Sequence, residues 1–450
     1  MLTPNGIKIK PKAFVIFTSI DGVDLDQDKL GLFQEKFKKV IDKENLNIKY
    51  ADFTVSNEEK AGKANSLISK SECELLIIVS AVWTSDTTIL RLIENIDLPI
   101  ILFTTSLSPH TLGINGAQLI ASTLKELEIR FKFIFGNIED KNTVKKITDF
   151  SFACSLYNRL KNLRIGVVGY RPKIMTNLAA DEFSVKKVFG SSIVPIDFSD
   201  MEKSLKNVEN SQIENKISEI KAIVGKVEVN NFVLAESVSY YFAFLNLVRE
   251  FKLNAIAVNC FPFPYIKAKT CLALSNLNDI GIPASCEADV NSAILMYILQ
   301  SITGASGLNS DLIIEDQGKN SIMFSHCGCG PFSCATNNKD ISLKTHYEVK
   351  TGLGVYYPVK EGGSETTTVN LVGREGTYRL CALLGVSLPM QELIYSGNPI
   401  TIRYKTNITD LINIIGNEGF GHHWVVSKGS HKEIFKDLCR LVKIKDIYLN

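Results

Sequence analysis

The first part of the chain alternates short, continuous apolar runs with longer amphipathic stretches. The apolar runs cover residues 13–17, 74–79, 99–103 and 131–135, and helical patterns cover 27–42 and 140–161. Strands that are apolar on both faces and separated by helices are typical of a parallel sheet with helices on both sides. The pattern therefore predicts an N-terminal Rossmann-like α/β domain over residues 1–162.

The same alternation starts again at Leu163. Strands are expected at 164–170, 192–196 and 255–260, and helices at 200–224, 232–251 and 288–302. This second set of elements predicts a central α/β domain over residues 163–305, again built on a parallel sheet.

After Gly304 the pattern changes to short, Thr-rich strands punctuated by glycine. These strands are expected at 321–325, 366–372, 400–404 and 424–427, and an amphipathic helix is expected at about 431–442. Short strands without intervening helices indicate an antiparallel barrel or sandwich. We therefore expect a β-rich, barrel-like C-terminal domain with a terminal helix over residues 306–450.

Charge and composition narrow the class of partner. The 50 Lys and Arg residues nearly balance the 48 Asp and Glu residues, which leaves a net charge of +2. Such a chain has no general attraction to nucleic acid or to an anionic membrane, so a small-molecule partner is expected. The sequence shows neither a secretory signal nor an apolar run of the roughly 18 residues that span a membrane. The ten cysteines are therefore expected to be reduced thiols in a cytoplasmic protein.

Two carboxylates stand where the central domain is expected to carry its chemistry. The segment Cys286-Glu287-Ala288-Asp289 lies between a predicted strand and a predicted helix. Catalytic groups of α/β units tend to lie at the carboxyl ends of strands. The alternative is that Glu287 and Asp289 only interact favourably with the helix dipole in the first turn.

Two further groups of carboxylates and histidines follow. One extends from Asp311 to His326 through Glu315 and Asp316, and the other is Gly421-His422-His423, beside a glycine-rich turn. Carboxylate and imidazole ligands suit a Mn²⁺-like ion, and glycines let the backbone present neighbouring side chains to one point. The alternative for the adjacent histidines is a solvated loop.

Taken together, these segments resemble the L-fucose isomerase/L-arabinose isomerase superfamily over nearly the whole chain. The resemblance is carried by Gly169-Tyr170-Arg171-Pro172, Cys286-Glu287-Ala288-Asp289, Ser325-His326-Cys327-Gly328, Thr366-Thr367-Thr368-Val369 and Gly419-Phe420-Gly421-His422-His423. Glu287 and Asp311 lie 24 residues apart, which suits the fucose isomerase branch. The resemblance implies a single Mn²⁺, or another divalent ion, held by Glu287, Asp311 and His423. His326 is implied as a fourth ligand or a substrate contact. His422 is implied as a substrate contact or as a residue that orients His423, and it is the alternative to His423 as the ligand.

The activity that the resemblance implies is aldose–ketose isomerisation of a free monosaccharide through an ene-diol. Glu287 and Asp311 would exchange acid and base roles in moving the proton, while the metal stabilises the developing negative charge. The sugar stays open among deoxyhexoses, pentoses and sulfosugars, since the superfamily includes sulfoquinovose isomerases. A homo-oligomer, hexamer or trimer, is also implied. The alternatives are a non-catalytic sugar-binding or regulatory protein, and a metal-dependent transferase or lyase on the same fold.

Three other features have simpler interpretations. Cys327-Gly328-Cys329-Gly330 and the nearby Cys334 lack the paired C-x-x-C spacing of zinc and iron–sulfur sites, which favours packed thiols. Trp83 could stack on a sugar, although ordinary core packing is the better explanation. The glycines around Gly166 and Gly169 do not form G-x-G-x-x-G, so no nicotinamide cofactor is expected.

Overall fold

A computed structural model describes residues 8–22, 26–261, 269–390, 393 and 395–449 of the chain. These residues form two compact units. The first unit holds Ile9–Asn158 together with Glu433–Leu441, and the larger unit holds Arg159–Lys432 and the segment from Val442 onward. This division into two units does not test the predicted boundaries of the three domains, which stay a prediction. Among the described helices, none combines the length and the apolar character that crossing a bilayer requires.

The first unit is built on a five-stranded parallel sheet, in the order β2-β1-β3-β4-β5. Its strands are β1 (Lys12–Phe17), β2 (Asn47–Tyr50), β3 (Leu75–Val79), β4 (Ile100–Thr104) and β5 (Phe131–Phe135). Every residue of β3 and β4 is buried, as expected of central strands covered on both faces. β2, in contrast, is a partly exposed edge strand with a mixed polar sequence, and the hydrophobic pattern did not predict it.

Among the described residues, four helices connect these strands, a fifth follows β5, and the C-terminal region contributes another. They are α1 (Gln27–Ile41), α2 (Glu58–Ser69), α3 (Asp86–Leu92), α4 (Gly113–Glu126) and α5 (Lys141–Leu160), of which the last leads into the larger unit. The predicted terminal helix is present at Lys432–Val442, and its middle part belongs to the first unit. The prediction of a parallel-sheet α/β fold for this part of the chain is confirmed.

The larger unit begins with a second parallel sheet, in the order β10-β9-β6-β7. Its strands are β6 (Arg164–Val168), β7 (Ser192–Ile196), β9 (Ala255–Val258) and β10 (Ala284–Cys286), and β8 (Lys226–Val227) belongs to a small separate sheet. The helices are α6 (Glu182–Phe189), α7 (Phe198–Lys206), α8 (Asn210–Ile223), α9 (Asn231–Glu250), α10 (Cys271–Asp279) and α11 (Val290–Thr303). The single helix expected over 200–224 is thus two helices, because Asp197 and Glu209 each begin a helix with a capping box.

The C-terminal part of the larger unit is rich in strands. These are β11 (Leu308–Asp316), β12 (Ser321–Ser325), β13 (Ser342–Thr345), β14 (Leu353–Tyr356), β15 (Glu365–Arg374), β16 (Thr377–Leu388), β17 (Ile400–Tyr404), β18 (His423–Lys428) and β19 (Lys445–Leu449). Single-turn 3₁₀ helices lie at Pro109–Thr111, Thr176–Leu178, Phe332–Cys334 and Asn338–Asp340. In the small sheet, β13 is the middle strand and pairs antiparallel with β14 and parallel with β8.

Six of these strands pair in a closed circuit, which confirms the expected antiparallel, barrel-like domain. The order β15-β18-β11-β12-β17-β16 returns to β15, and each of the six pairings is antiparallel. Phe324, Ile402, Trp424 and Val426 belong to the buried core of this barrel. The expectation of strands without intervening helices was wrong, because the helix α12 (Ile408–Asn417) separates β17 from β18 and adds apolar side chains to the same core. The terminal helix at Lys432–Val442 is α13.

Candidate functional site

Two of the predicted site residues face each other across a pair of barrel strands. In the antiparallel register of β11 with β18, Asp311 is the direct partner of His423. Trp424 and Val426 belong to the barrel core. Because side chains alternate along a strand, His423 lies on the opposite, outer face of the barrel. There its Nε2 atom lies 3.8 Å from Asp311 Oδ1.

The third predicted residue, Glu287, comes from the parallel sheet of the same unit. It follows the last residue of β10, and both Glu287 (φ 59°) and Ala288 (φ 55°) have a left-handed backbone conformation. Two consecutive non-glycine residues with this backbone conformation are unusual, and the conformation costs free energy. Such strain is often found at functional sites, where it positions a side chain. The resulting turn places Glu287 Oε2 3.3 Å from His423 Nε2 and 3.5 Å from His422 Nε2.

His326 also lies beside this point. It follows β12, whose last residue, Ser325, is the register partner of Asp311. The rings of His326 and His423 have their centroids 5.4 Å apart. One ligand atom each from Asp311, His326 and His423 lie within 4.8 Å of one another, and the same holds for Glu287, His422 and His423. The structure thus brings together the predicted site residues that belong to the larger unit.

Several polar atoms at this point are buried without a hydrogen-bond partner among the described residues. They are Asp311 Oδ1, His326 Nε2 and His423 Nε2. A buried polar atom without a partner costs free energy, so atoms that point at one location indicate a ligand there. Carboxylate oxygens and an imidazole nitrogen at this spacing fit a divalent cation of the Mn²⁺ type.

The hydrogen bonds at Nδ1 of the two buried histidines determine the tautomer of each neutral ring, and therefore whether its Nε2 is an acceptor or a donor. His423 Nδ1 donates to Asp289 Oδ2 over 2.8 Å, which leaves the Nε2 lone pair of the neutral ring available as a ligand. His326 Nδ1 instead accepts the backbone N–H of Cys327 over 2.9 Å. The neutral ring of His326 therefore carries its proton on Nε2, so it presents a hydrogen-bond donor to the site.

Two residues that support the site were not among the predicted ones. Asp289 is the N-cap of α11 as well as the partner of His423; the sequence placed it in a candidate carboxylate segment but did not assign it a role at the metal site. Asn370 on β15 donates to the carbonyl oxygens of Gly421 and His423 over 2.7 and 2.6 Å, which holds the histidine segment against the barrel. The Thr366-Thr367-Thr368-Val369 segment, which precedes Asn370 on the same strand, was the only sequence signal for this contact.

Charge strongly perturbs the titration of these groups. Burial alone would raise the pKa of the Glu287 carboxyl, but the nearby rings of His422 and His423 outweigh burial and hold that pKa well below its usual range. Burial alone would lower the pKa of His423, but the carboxylates of Asp289 and Glu287 raise it to about 10. Without a cation in place, the site is therefore a buried carboxylate–imidazolium cluster at neutral pH.

The remaining predicted contacts differ in their surroundings. The side chain of His422 is 39% exposed, and its Nδ1 lies 3.4 Å from Asn177 Nδ2. Trp83 lies in the first unit, where its indole N–H donates to Asn115 over 3.1 Å, and its contact with substrate stays a prediction.

A separate cavity of about 530 Å³ in the larger unit does not coincide with this cluster. Its walls include Leu308, Cys334, Val359 and Lys428, and none of the histidines or carboxylates described above lines it. The cluster is the better candidate for a functional site, because it combines buried ionisable groups with polar atoms that have no partner.

The comparison with known proteins points to sugar isomerases. No protein-family model matches the chain. A protein of Priestia aryabhattai named sulfoquinovose isomerase is 23% identical over 399 residues, which is 87% of this chain and 88% of that protein. Proteins of the same name from Clostridium sp. (strain MSTE9) and Alkalicoccus urumqiensis are 26% and 22% identical over 342 and 335 residues, in each case 74% of this chain and 75% of the relative. The chain is thus similar, over most of its length, to several proteins named sulfoquinovose isomerase.

Proposed function

We propose that this protein is a divalent-metal-dependent aldose–ketose isomerase that acts on a sulfosugar, and that it is a divergent member of the L-fucose isomerase/L-arabinose isomerase superfamily. The observation that carries the proposal is the convergence of Glu287, Asp311 and His423 on one buried point. The names of the relatives support the reaction and the sulfosugar.

Glu287, Asp311 and His423 would hold the cation, for which Mn²⁺ is the first candidate. Their donor groups are two carboxylates, which balance the charge of a divalent ion, and one neutral imidazole, which adds a ligand without adding further negative charge. A bound divalent cation supplies stabilisation of the negative charge that develops on the oxygens at C1 and C2 of the sugar.

The residues of the chain would move the proton between C1 and C2. Glu287 and Asp311 approach His423 Nε2 to 3.3 and 3.8 Å from two different sheets, so a sugar bound at this point lies between two carboxylates. One carboxylate accepts the proton from C2 while the other carboxyl group protonates the oxygen at C1, which gives the ene-diol. The first group then returns its proton to C1 while the second takes the proton from the oxygen at C2. The Nε2–H of His326 donates to a substrate oxygen and holds the sugar in register, and the partly exposed His422 contacts the part nearer to solvent.

Arg171 is our candidate for the sulfonate end of the substrate. It follows β6 by three residues, at the same edge of the parallel sheet as Glu287, since β6, β9 and β10 are parallel neighbours. Strand spacing separates β6 from β10 by roughly 10 Å, a reach that suits a six-carbon chain with a terminal sulfonate. Nε of Arg171 is buried without a hydrogen-bond partner among the described residues, and a guanidinium matches tetrahedral oxyanions well.

The experiment that tests the reaction is an NMR assay of the purified protein in deuterated buffer with Mn²⁺. The sugars are sulfoquinovose, D-glucose, L-fucose and L-arabinose. We expect the first to be converted to its ketose fastest, with deuterium entering at C1 or C2 because the reaction passes through an ene-diol. Failure of all four sugars to interconvert, with metal bound, would overturn the isomerase and leave a sugar-binding protein or another metal-dependent enzyme.

A pair of variants tests the site. Glu287→Gln keeps the shape of the side chain but removes its charge, so turnover should fall to background. Glu315→Gln makes the same change on the exposed part of β11 and should retain full activity. Full activity of Glu287→Gln would show that the site is assigned wrongly.

A further inference from the structure

A second group of potential metal ligands lies buried in the larger unit, apart from Glu287 and Asp311. It consists of Cys271, Cys327 and His346, and one ligand atom from each of them lies within 4.8 Å of the other two. All three side chains are buried, and His346 is only 1% exposed. Sequence reasoning considered Cys327 only together with Cys329 and Cys334, its close neighbours in the chain.

The most informative member is His346. Neither Nδ1 nor Nε2 has a hydrogen-bond partner among the described residues, although both atoms are buried. A neutral imidazole has one donor and one acceptor, and burial without partners costs free energy for each. The two sulfurs beside the ring are weak hydrogen-bonding groups, so contacts with them do not compensate for this cost.

The three residues come from separate, well-anchored segments. Cys271 is the first residue of α10, His346 follows β13, and Cys327 follows β12. Leu272, Leu343 and Val355 belong to one buried apolar cluster, which fixes the segments around Cys271 and His346 relative to β14.

The position of Cys327 is fixed by the close contact of the next residue, Gly328, with β14. The carbonyl oxygen of Gly328 accepts the backbone N–H of Val355 over 2.9 Å. Gly328 has a φ of 139°, and a Cβ atom at that position would lie 3.0 Å from the Cα of Gly354. Only glycine allows the chain to pass this closely, so the backbone holds Cys327 beside Cys271 and His346.

We propose that Cys271, Cys327 and His346 bind a second cation, of the Zn²⁺ class. Thiolate and imidazole ligands select Zn²⁺ over Mn²⁺, which prefers carboxylate oxygens. Tetrahedral Zn²⁺ places sulfur and nitrogen ligands about 3.5–3.8 Å apart, so small movements of the three side chains complete the site. Water or Cys286, whose thiol lies beside that of Cys327, takes the fourth position. The cation gives the His346 ring the partner that it lacks.

The primary test is direct and needs no variant. The protein is freed of metal, supplied with one equivalent of Zn²⁺ beside excess Mn²⁺, and analysed by X-ray absorption at the zinc edge. We expect a shell of two or three sulfurs at about 2.3 Å with one or two nitrogens or oxygens. A shell of only nitrogen and oxygen atoms would overturn the proposal, since it would place Zn²⁺ at the carboxylate–histidine site.

Variants then assign the ligands. Loss of a residue that only orients a metal ligand weakens metal binding roughly 10–100-fold. Cys271→Ser and His346→Gln remove ligands themselves, so each should weaken Zn²⁺ binding by more than that. In the Co²⁺-loaded protein, Cys271→Ser should also weaken the sulfur-to-cobalt charge-transfer band. Cys381→Ser, which changes a buried cysteine on β16, is the matched control and should leave both readouts unchanged. Equal Zn²⁺ affinity of all three variants and the original protein would refute the assignment, whereas Mn²⁺-dependent activity is measured separately and tests the proposed function.

Discussion

Replacement of Asp289 by Asn tests whether the tautomer of His423 makes this histidine a ligand. Asp289 Oδ2 accepts the Nδ1–H of His423 over 2.8 Å and the hydroxyl of Ser292 over 2.6 Å, while Oδ1 accepts the backbone N–H groups of Asn291 and Ser292. Asparagine is as good an N-cap as aspartate, so its oxygen can keep the Oδ1 role and α11 should stay intact. Its amide nitrogen then faces His423 Nδ1.

The consequence is a change of tautomer. An amide N–H that faces Nδ1 favours the ring with its proton on Nε2, the atom that faces Glu287 and Asp311. That nitrogen can no longer bind a cation. If the amide is turned the other way, its N–H groups face those of Asn291 and Ser292, so the cap is lost instead. Loss of such a ligand-orienting partner typically lowers metal affinity or activity 10–100-fold, which corresponds to about 1.4–2.7 kcal/mol.

The assay is titration of the metal-free protein with Mn²⁺, together with the rate of isomerisation. Asp181→Asn is the matched control, because Asp181 caps α6 through the backbone N–H and hydroxyl of Ser184 in the same way. Both variants should keep the helix content of the original chain, and only Asp289→Asn should lose metal affinity. If the two variants bind Mn²⁺ equally well, the tautomer of His423 does not control the site.

Three further predictions concern the same groups. His423→Gln should abolish Mn²⁺ binding, whereas His422→Gln, at a position 39% exposed, should retain the metal and raise KM; the reverse pattern in a binding titration would make His422 the ligand. Arg171→Gln should raise KM for sulfoquinovose about 10–100-fold, as expected for a lost hydrogen bond to a charged group. KM for an unsulfonated sugar should be nearly unchanged. Steady-state kinetics measure both values, and Arg164→Gln, at the opposite end of β6, is the control. In the metal-free protein, the pKa of His423 is raised from 6.5 to about 10, so its attraction to Asp289 stabilises the fold fully below pH 6.5 and is lost as the pH rises through 10. The difference in free energy of unfolding between the original chain and Asp289→Asn, from urea titrations, should therefore shrink over that range, and a constant difference would contradict the raised pKa.

The periodicity of the sequence predicted the sheets well, because long buried strands carry a strong apolar signal. β3 is entirely apolar, β4 is apolar up to its last residue, Thr104, and the Thr-rich β15 lies where short strands were expected. β2 and α12 were missed for physical reasons. β2 is a partly exposed edge strand. α12 is only ten residues long and lies between two strands whose apolar signal dominated the pattern.

The site was predictable where its residues carry chemistry, and unpredictable where they act through three-dimensional contacts. Glu287, Asp311 and His423 stand out as a carboxylate–imidazole set, but their meeting depends on the register of β11 with β18. The role of Asp289 toward His423 depends on a contact across 134 residues of chain, which no local pattern reveals. The grouping of Cys271 with His346 is equally non-local, since neither belongs to a spacing typical of metal sites.

The closed circuit of strands has a consequence for the order in which the protein can assemble. β11 has two neighbours in the circuit, β12 and β18, and β18 comes after every other strand of the six in the chain. During synthesis, one edge of β11, the strand that carries Asp311, therefore has no partner until the segment with His423 has been made. Contacts of such long range are slow to form, because the entropy of loop closure must be overcome before any pairing is gained. Asp311 and His423 thus meet late in folding. When they meet, β18 closes the circuit, and the barrel has no open strand edge left that could pair with another chain.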